Sequence, residues 1–322
     1  MKIFVTRLIP QEGLDLLKKY HDVEVNPHNR VLTKEEIIQG VKGKDGLLCL
    51  LTDTIDRDVI FAEPKLKMIA SYAAGFNNID IEAATERGIP VSNTPDVLTD
   101  ATAEMAWALL FSVARRIVEA DKFTRDGKFN GWDPMLMHGQ DISGKTLGIV
   151  GSGRIGTAMA LKSKGFNMKV LYYSNHKNET LEKQLNAKKV KLKTLLKESD
   201  FISLHVPLTE KTRHLINEKE LKMMKRTAIL VNTSRGPVID EKALVKALEE
   251  KWIFGAGLDV YEHEPKIPKE LIQLDNVIVQ PHSASATFNS RNGMAIIAAE
   301  NMLAGLKGEI PPNCVNPEIF KV

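Results

Sequence analysis

Cysteine is nearly absent: 322 residues contain two, Cys49 and Cys314. So few, and so far apart, they read as free thiols of a reducing compartment rather than a disulfide framework. No CxxC pair or Cys/His cluster occurs, which excludes the usual structural zinc sites. Charge of one sign is also scarce. Forty-four Lys and Arg face 41 Asp and Glu, a net +3. That is too little to mark nucleic acid or an anionic membrane as the partner. No apolar run approaches the roughly 18 uncharged residues of a membrane span. The apolar stretch of MKIFVTRLIPQEG is too short for a signal peptide. The expected location is the cytoplasm.

What is present is ordinary soluble composition, 43% hydrophobic and 26% charged, at a length that suits two domains. Short apolar runs alternate with helical patterns. In the first 100 residues, strands are expected at 2–6, 46–50, 67–71 and 89–91. Helices are expected at 11–20 and 33–39, the second with a capping box from Thr33 and Glu36. A second series predicts six strands, at 146–150, 169–173, 201–205, 228–232, 255–260 and 276–280. They read as near-continuous apolar runs, as in parallel strands covered on both faces. Asn217 with Glu220 suggests another capping box, and Asp240 an N-cap. Apolar stripes predict a long helix over 101–123, with Met105, Leu109, Val113 and Ile117 on one face, and another over 291–306. The fold class is therefore α/β: two doubly wound parallel-sheet domains, the second a Rossmann-type dinucleotide-binding domain inserted in the first.

The sharpest motif is GIVGSGRIGTAMA. Gly151, Gly153 and Gly156 fit GxGxxG, with an apolar strand before them and a helix after. Gly151 would allow the tight turn and Gly153 close pyrophosphate approach. Gly156 would let helix pack on strand. Ser152, Arg154 and Ile155 complete the turn, where the helix N-terminus offers N–H groups to phosphates. An NAD site usually places an acid at the end of the next strand. Here Ser174, Asn175, His176 and Lys177 stand there. Ser174 and Asn175 can hydrogen-bond a 2′-phosphate and Lys177 can neutralise it, which favours NADP(H); NAD(H) is the alternative.

Three polar residues follow strands of the second series: Arg235, Glu264 and His282. They suit reduction of a ketone beside a carboxylate. His282 would give the proton, and Glu264 would orient it through the other ring nitrogen. Arg235 would bind the carboxylate and polarise the carbonyl. By residue type alone each also fits a structural role: a turn arginine, the end of an acidic loop with Glu262, a buried and satisfied histidine.

An ordered set of stretches resembles the D-isomer-specific 2-hydroxyacid dehydrogenases, and within them the glyoxylate/hydroxypyruvate reductases. They are SYAAGFNNID at 71–80, NTPDVLTDATAEMAWALL at 93–110, LGIVGSGRIG at 147–156, LHVPLT at 204–209, ILVNTSRG at 229–236, GLDVYEHEP at 257–265 and PHSASAT at 281–287. DGLLCLLTD at 45–53 favours the reductase branch. The resemblance implies Arg235, Glu264 and His282 as the catalytic set. It implies Ala74 and Gly75 as backbone donors to the substrate carboxylate, and Leu51 as lining the pocket. Thr102, Val206, Pro207, Thr233 and Asp259 fall where members touch the cofactor, Asp259 toward the nicotinamide amide. Members that use NADP often place Arg beside the Ser174 position; here Asn175 stands there.

The resemblance further implies a substrate domain of residues 1–98 completed by 288–322, and an NAD(P)-binding domain of 99–287. Members are usually homodimers. Trp132, Met135, Leu136 and Met137, in the loop-like 124–140 segment, are the interface candidates. The implied reaction is hydride transfer from NAD(P)H to a small 2-oxo acid, glyoxylate or hydroxypyruvate. Related dehydrogenases acting on 2-ketogluconate, pyruvate or 3-phosphoglycerate are alternatives. A non-catalytic dinucleotide-sensing protein is the alternative of another class.

Overall fold

In the computed structural model, which describes residues 1–321, apolar runs alternate residue by residue between two covers. The chain divides into two units, Met1–Leu98 with Ala286–Val322, and Thr99–Ser285.

The first unit runs β1 (Lys2–Val5), α1 (Gln11–Lys18), β2 (Asp22–Val25), α2 (Lys34–Val41), β3 (Gly46–Leu50), α3 (Arg57–Phe61), β4 (Met68–Tyr72), α4 (Ile81–Glu86) and β5 (Val91–Ser92). All pairings are parallel, in the order β2-β1-β3-β4-β5. That is a doubly wound sheet with its switch point between β1 and β3. Phe4, Leu47, Cys49, Ile69 and Val91 face one way, onto Ile37, Val59 and Ala83 of α2, α3 and α4. The opposite face is covered by α1 and by the last long helix of the chain, which belongs to this unit. The expected capping box is formed: Thr33 Oγ1 accepts from Glu36 N, and Glu36 accepts from Thr33 N. β2 is an addition to the strands expected from the sequence. Its DVEV sequence lies at the sheet edge and half-exposed, so it lacks the apolar run of an inner strand.

The second unit opens with α5 (Thr99–Ala114) and α6 (Ile117–Arg125). It continues β6 (Thr146–Val150), α7 (Arg154–Lys162), β7 (Lys169–Tyr173), α8 (Glu179–Leu185), β8 (Lys188–Lys189), α9 (Leu192–Glu198), β9 (Phe201–Leu204), α10 (Glu218–Leu221), β10 (Ile229–Asn232), α11 (Glu241–Glu249), β11 (Gly255–Leu258), α12 (Lys269–Ile272) and β12 (Val277–Val279). The parallel order β12-β11-β10-β9-β6-β7-β8 reverses direction at β6/β9, the switch point where dinucleotides bind in such sheets. Ile229 and Val231 join the α5 and α7 side, with Leu109, Leu110 and Met159. Leu230 between them joins the other side, with Leu195, Leu244 and Leu248.

Four local expectations need correction. The 101–123 helix is two helices, because Arg116 adopts the left-handed conformation (φ 52°) between α5 and α6. The buried stripe therefore ends at Val113, and Ile117 is exposed. A seventh strand, β8, pairs with the outer edge of β7 through two lysines that carry no apolar signal. Asn217 caps α10 through Lys219 N, so no box with Glu220 forms in that four-residue helix. The final helix, α13 (Phe288–Leu306), starts three residues before expectation, where Thr287 accepts from Ser290 N. Among the described residues no helix is long and apolar enough to cross a membrane.

Candidate active site

The glycine turn joins β6 to α7. Gly151 has φ +96°, a conformation that strains any residue with a Cβ, and its N–H donates to Tyr173 O at 2.8 Å. A Cβ there would lie 2.7 Å from the His205 carbonyl. One at Gly156 would collide with the Gly151 carbonyl, so helix and turn need glycine to touch. At Gly153 a Cβ would meet nothing, so that glycine leaves open space above the turn. Gly153 also caps α7 without any side-chain bond, and Arg154 and Ile155 begin the helix with no acid in its first turn. Backbone N–H groups at this end suit an anion. The Ser152 carbonyl is held by Asn178 Nδ2 at 2.9 Å. Thr233 lies just beyond β10 with its hydroxyl buried and without a hydrogen-bond partner among the described residues. Val206 and Pro207 follow β9, and Thr102 is buried on α5. An open anion turn, a waiting hydroxyl and a switch point together fit a dinucleotide.

At the end of β7, Ser174 is half-buried and Asn175 exposed. Lys177 is not simply available: its ammonium lies 2.9 Å from Glu182 Oε2, whose other oxygen accepts from Tyr172 OH at 2.8 Å. A second cation stands nearby that the motif did not reveal. Lys189 of β8 donates to Asn175 O at 3.0 Å. It lies 14 residues beyond Asn175 and reaches it only because β8 pairs with β7.

Arg235, Glu264 and His282 all belong to the second unit, beyond the C-terminal ends of β10, β11 and β12. Asn232 shapes the first turn: Nδ2 donates to Arg235 O at 2.9 Å, and Oδ1 accepts from Ser234 N at 3.0 Å. Gly236 lets this turn lie against the next, because a Cβ there would collide with the Tyr261 carbonyl. Arg235 and the Glu264 loop are thereby neighbours. Burial disfavours the Arg235 cation, and the Glu264 charge opposes that effect.

Glu264 Oε2 lies 2.7 Å from His282 Nδ1, while its Oε1 accepts from Tyr261 N at 3.0 Å. Burial raises the Glu264 pKa, but the His282 bond, the Tyr261 N–H and the Arg235 charge outweigh it. Its carboxyl is held below the usual range. His282 has φ 53°, and the next two residues are caught by Asp259. That buried carboxylate accepts from Ser283 N at 2.7 Å and from Ala284 N at 2.9 Å. The chain thus fixes the histidine backbone from below and its Nδ1 from the side. His282 Nε2 is the ring nitrogen left outside this contact. The holding roles of Tyr261, Gly236 and Asn232 carried no motif of their own.

Leu51, Ala74 and Gly75 belong to the first unit. Leu51 follows β3, and Ala74 and Gly75 follow β4, at the strand ends where such sheets bind ligands. Asp53, buried, accepts from Leu50 N at 2.7 Å and from Thr6 Oγ1 at 2.5 Å, which folds the Leu51 loop back on β1. Asn78 donates to Leu50 O and Asp53 O, tying that loop to the one carrying Gly75.

The profile of the D-isomer specific 2-hydroxyacid dehydrogenase NAD binding domain matches residues 107–284. The chain belongs to this family, and is an enzyme of that class with a nicotinamide dinucleotide as cofactor. Among its relatives, the glyoxylate reductase of Thermococcus litoralis is 53% identical over 99% of this chain and 98% of its own. That of Korarchaeum cryptofilum is 54% identical over 100% of this chain and 97% of its own. A solved NADPH-dependent glyoxylate/hydroxypyruvate reductase from Sinorhizobium meliloti, in complex with NADP and malonate, is 29% identical. It superposes with a TM-score of 0.86 over 98% of this chain and 96% of that one.

Proposed function

We propose that this enzyme reduces glyoxylate, and hydroxypyruvate beside it, to the 2-hydroxy acid, with NADPH preferred. The observation that carries the chemistry is the 2.7 Å contact between Glu264 and His282 Nδ1, with Arg235 beside it. The relatives named glyoxylate reductase, identical at half the positions along the whole chain, support the substrate.

When bound, the nicotinamide supplies a hydride to the carbonyl carbon. His282 Nε2 gives its proton to the oxygen as charge builds there, and recovers one from solvent before the next turnover. Glu264 keeps the ring in one orientation and bears the opposite charge. Arg235 takes the carboxylate with its planar fork and draws electron density from the adjacent carbonyl. In the other unit, the Ala74 and Gly75 N–H groups suit a carboxylate, and Leu51 suits a small apolar substituent. We assign substrate binding to the unit Met1–Leu98 with Ala286–Val322, and cofactor binding to Thr99–Ser285.

The absence of an acid at Ser174 supports NADPH, as does Lys189 beside Asn175. Lys177 would exchange Glu182 for the phosphate. Thr102, Val206, Pro207 and Thr233 line the remaining cofactor path, with the Asp259 carboxylate toward the nicotinamide amide. A homodimer is part of this reading: Trp132 is 85% and Met135 74% exposed on an irregular segment, apolar surface that a partner subunit would cover. Sedimentation of the purified enzyme checks it. Two unpaired thiols suit the reducing cytoplasm.

Initial rates across NADPH and NADH, with glyoxylate, hydroxypyruvate, pyruvate, 2-ketogluconate and 3-phosphoglycerate, test the proposal. Fastest NADPH-dependent turnover of the first two supports it. Preference for another acid moves the enzyme to that branch of the family. Cofactor binding without turnover of any acid favours a sensor.

A further inference from the structure

We infer that Asn93 is a positioning residue for the substrate carboxylate, acting by clamping the backbone carbonyls that set the direction of the Ala74 and Gly75 N–H groups. The inference rests on the reading that those two N–H groups hold the carboxylate.

Two bonds carry it. Thr94 N donates to Ala73 O at 2.8 Å, and Asn93 Nδ2 donates to Ala74 O at 2.7 Å. Consecutive carbonyls of the loop after β4 are thus both drawn to residues 93–94. In a trans peptide the C=O and the following N–H lie in one plane and point in opposite directions. Capturing Ala73 O therefore turns the Ala74 N–H away from residues 93–94. Capturing Ala74 O does the same for the Gly75 N–H. Without the second bond, the 74–75 peptide is free to rotate about its flanking dihedrals and remove one donor.

Asn93 is itself anchored at the backbone. Its N–H donates to Asn313 O at 3.2 Å, and its carbonyl accepts from Asn301 Nδ2 at 3.1 Å. Asn301 is fully buried on α13, and its Oδ1 accepts from Asn313 N at 3.0 Å. A series of amides thus leads from the core of α13 to the substrate loop. Residues 301 and 313 join the chain far from residue 74, so this support exists only because α13 belongs to the first unit.

The test is steady-state kinetics of the full chain with Asn93→Ala and Asn93→Asp, glyoxylate and NADPH varied in turn. Asn93→Asp keeps the size and shape and removes the donor. Loss of one hydrogen bond predicts a KM for glyoxylate raised about tenfold. The kcat should stay within about twofold, because an interaction present equally in ground and transition states acts on KM. The KM for NADPH and the thermal midpoint should hold, and inhibition by oxalate should weaken with the glyoxylate KM. An unchanged glyoxylate KM in Asn93→Asp overturns the inference. So does a fall in thermal midpoint with kcat and both KM values affected alike, which marks a merely structural residue. Gly75→Pro, which deletes one N–H outright, separates the two levels. If it raises the KM and Asn93→Asp does not, only Asn93 is wrongly assigned. If it too leaves the KM unchanged, the carboxylate reading itself fails.

Discussion

His282 meets Glu264 through Nδ1, at 2.7 Å, which leaves Nε2 outside the contact. The carboxylate is below its usual range despite burial that works against it. A depressed acid stabilises the ionised arrangement fully above its ordinary value of 4.5 and loses that contribution as pH falls through the lower, folded value. At neutral pH the pair is therefore ion-assisted. Glu264→Gln keeps a hydrogen-bonding side chain without the charge. It should lower kcat/KM for glyoxylate by about 10- to 100-fold. A pH–rate profile in which the variant equals the wild type would remove Glu264 from the site.

On the proposed reading, Ser174 sets the nucleotide preference. On that reading Ser174→Asp places a negative charge where a 2′-phosphate would lie and an acceptor where a free ribose hydroxyl would lie. The ratio of kcat/KM for NADPH over NADH should fall by about 10- to 100-fold, the size of a close charge pair in partly solvated surroundings. Lys189→Ala should lower the same ratio more weakly, because it acts from the edge strand. A ratio unmoved by Ser174→Asp contradicts the placement of the ribose.

His205 follows β9 with Nε2 2.8 Å from Ser203 Oγ. Burial pushes its pKa down from 6.5 to about 3. Between those values the unfolded chain takes up a proton that the folded chain refuses, so stability falls as pH falls from 6.5 toward about 3. His205→Gln should flatten that part of the urea-midpoint profile. An equal slope in both proteins would show that other groups cause the acid sensitivity.

Gly236 gives a steric prediction. Any Cβ there meets the Tyr261 backbone, and the same loop delivers the N–H that holds Glu264. Gly236→Ala should cost about 1–3 kcal/mol of stability, as overpacking does, and lower turnover together with it. Wild-type activity and thermal midpoint in Gly236→Ala would show that the two turns do not need their contact.

Much of this was legible in the sequence because the signals were local. A glycine triplet after an apolar strand is readable since strand, turn and helix are contiguous. The inner strands are readable since cover on both faces makes them apolar throughout. What escaped lacked such a signal. β2 and β8 are edge strands, and DVEV and two lysines bury too little to show a pattern. Nothing at Arg116, neither glycine nor proline, announces the break between α5 and α6. Arg235, Glu264 and His282 stand out as candidates through the resemblance, since by type alone each also fits a structural role. The contacts that hold them, Asp259 to Ser283 and Gly236 to Tyr261, join turns distant in sequence and exist only in the fold.

The most direct test is His282→Gln, assayed for glyoxylate reduction beside fluorescence titration of NADPH binding. The account predicts turnover reduced by about two orders of magnitude or more, with cofactor affinity nearly unchanged. Turnover equal to the wild type would contradict it, and another group would have to supply the proton.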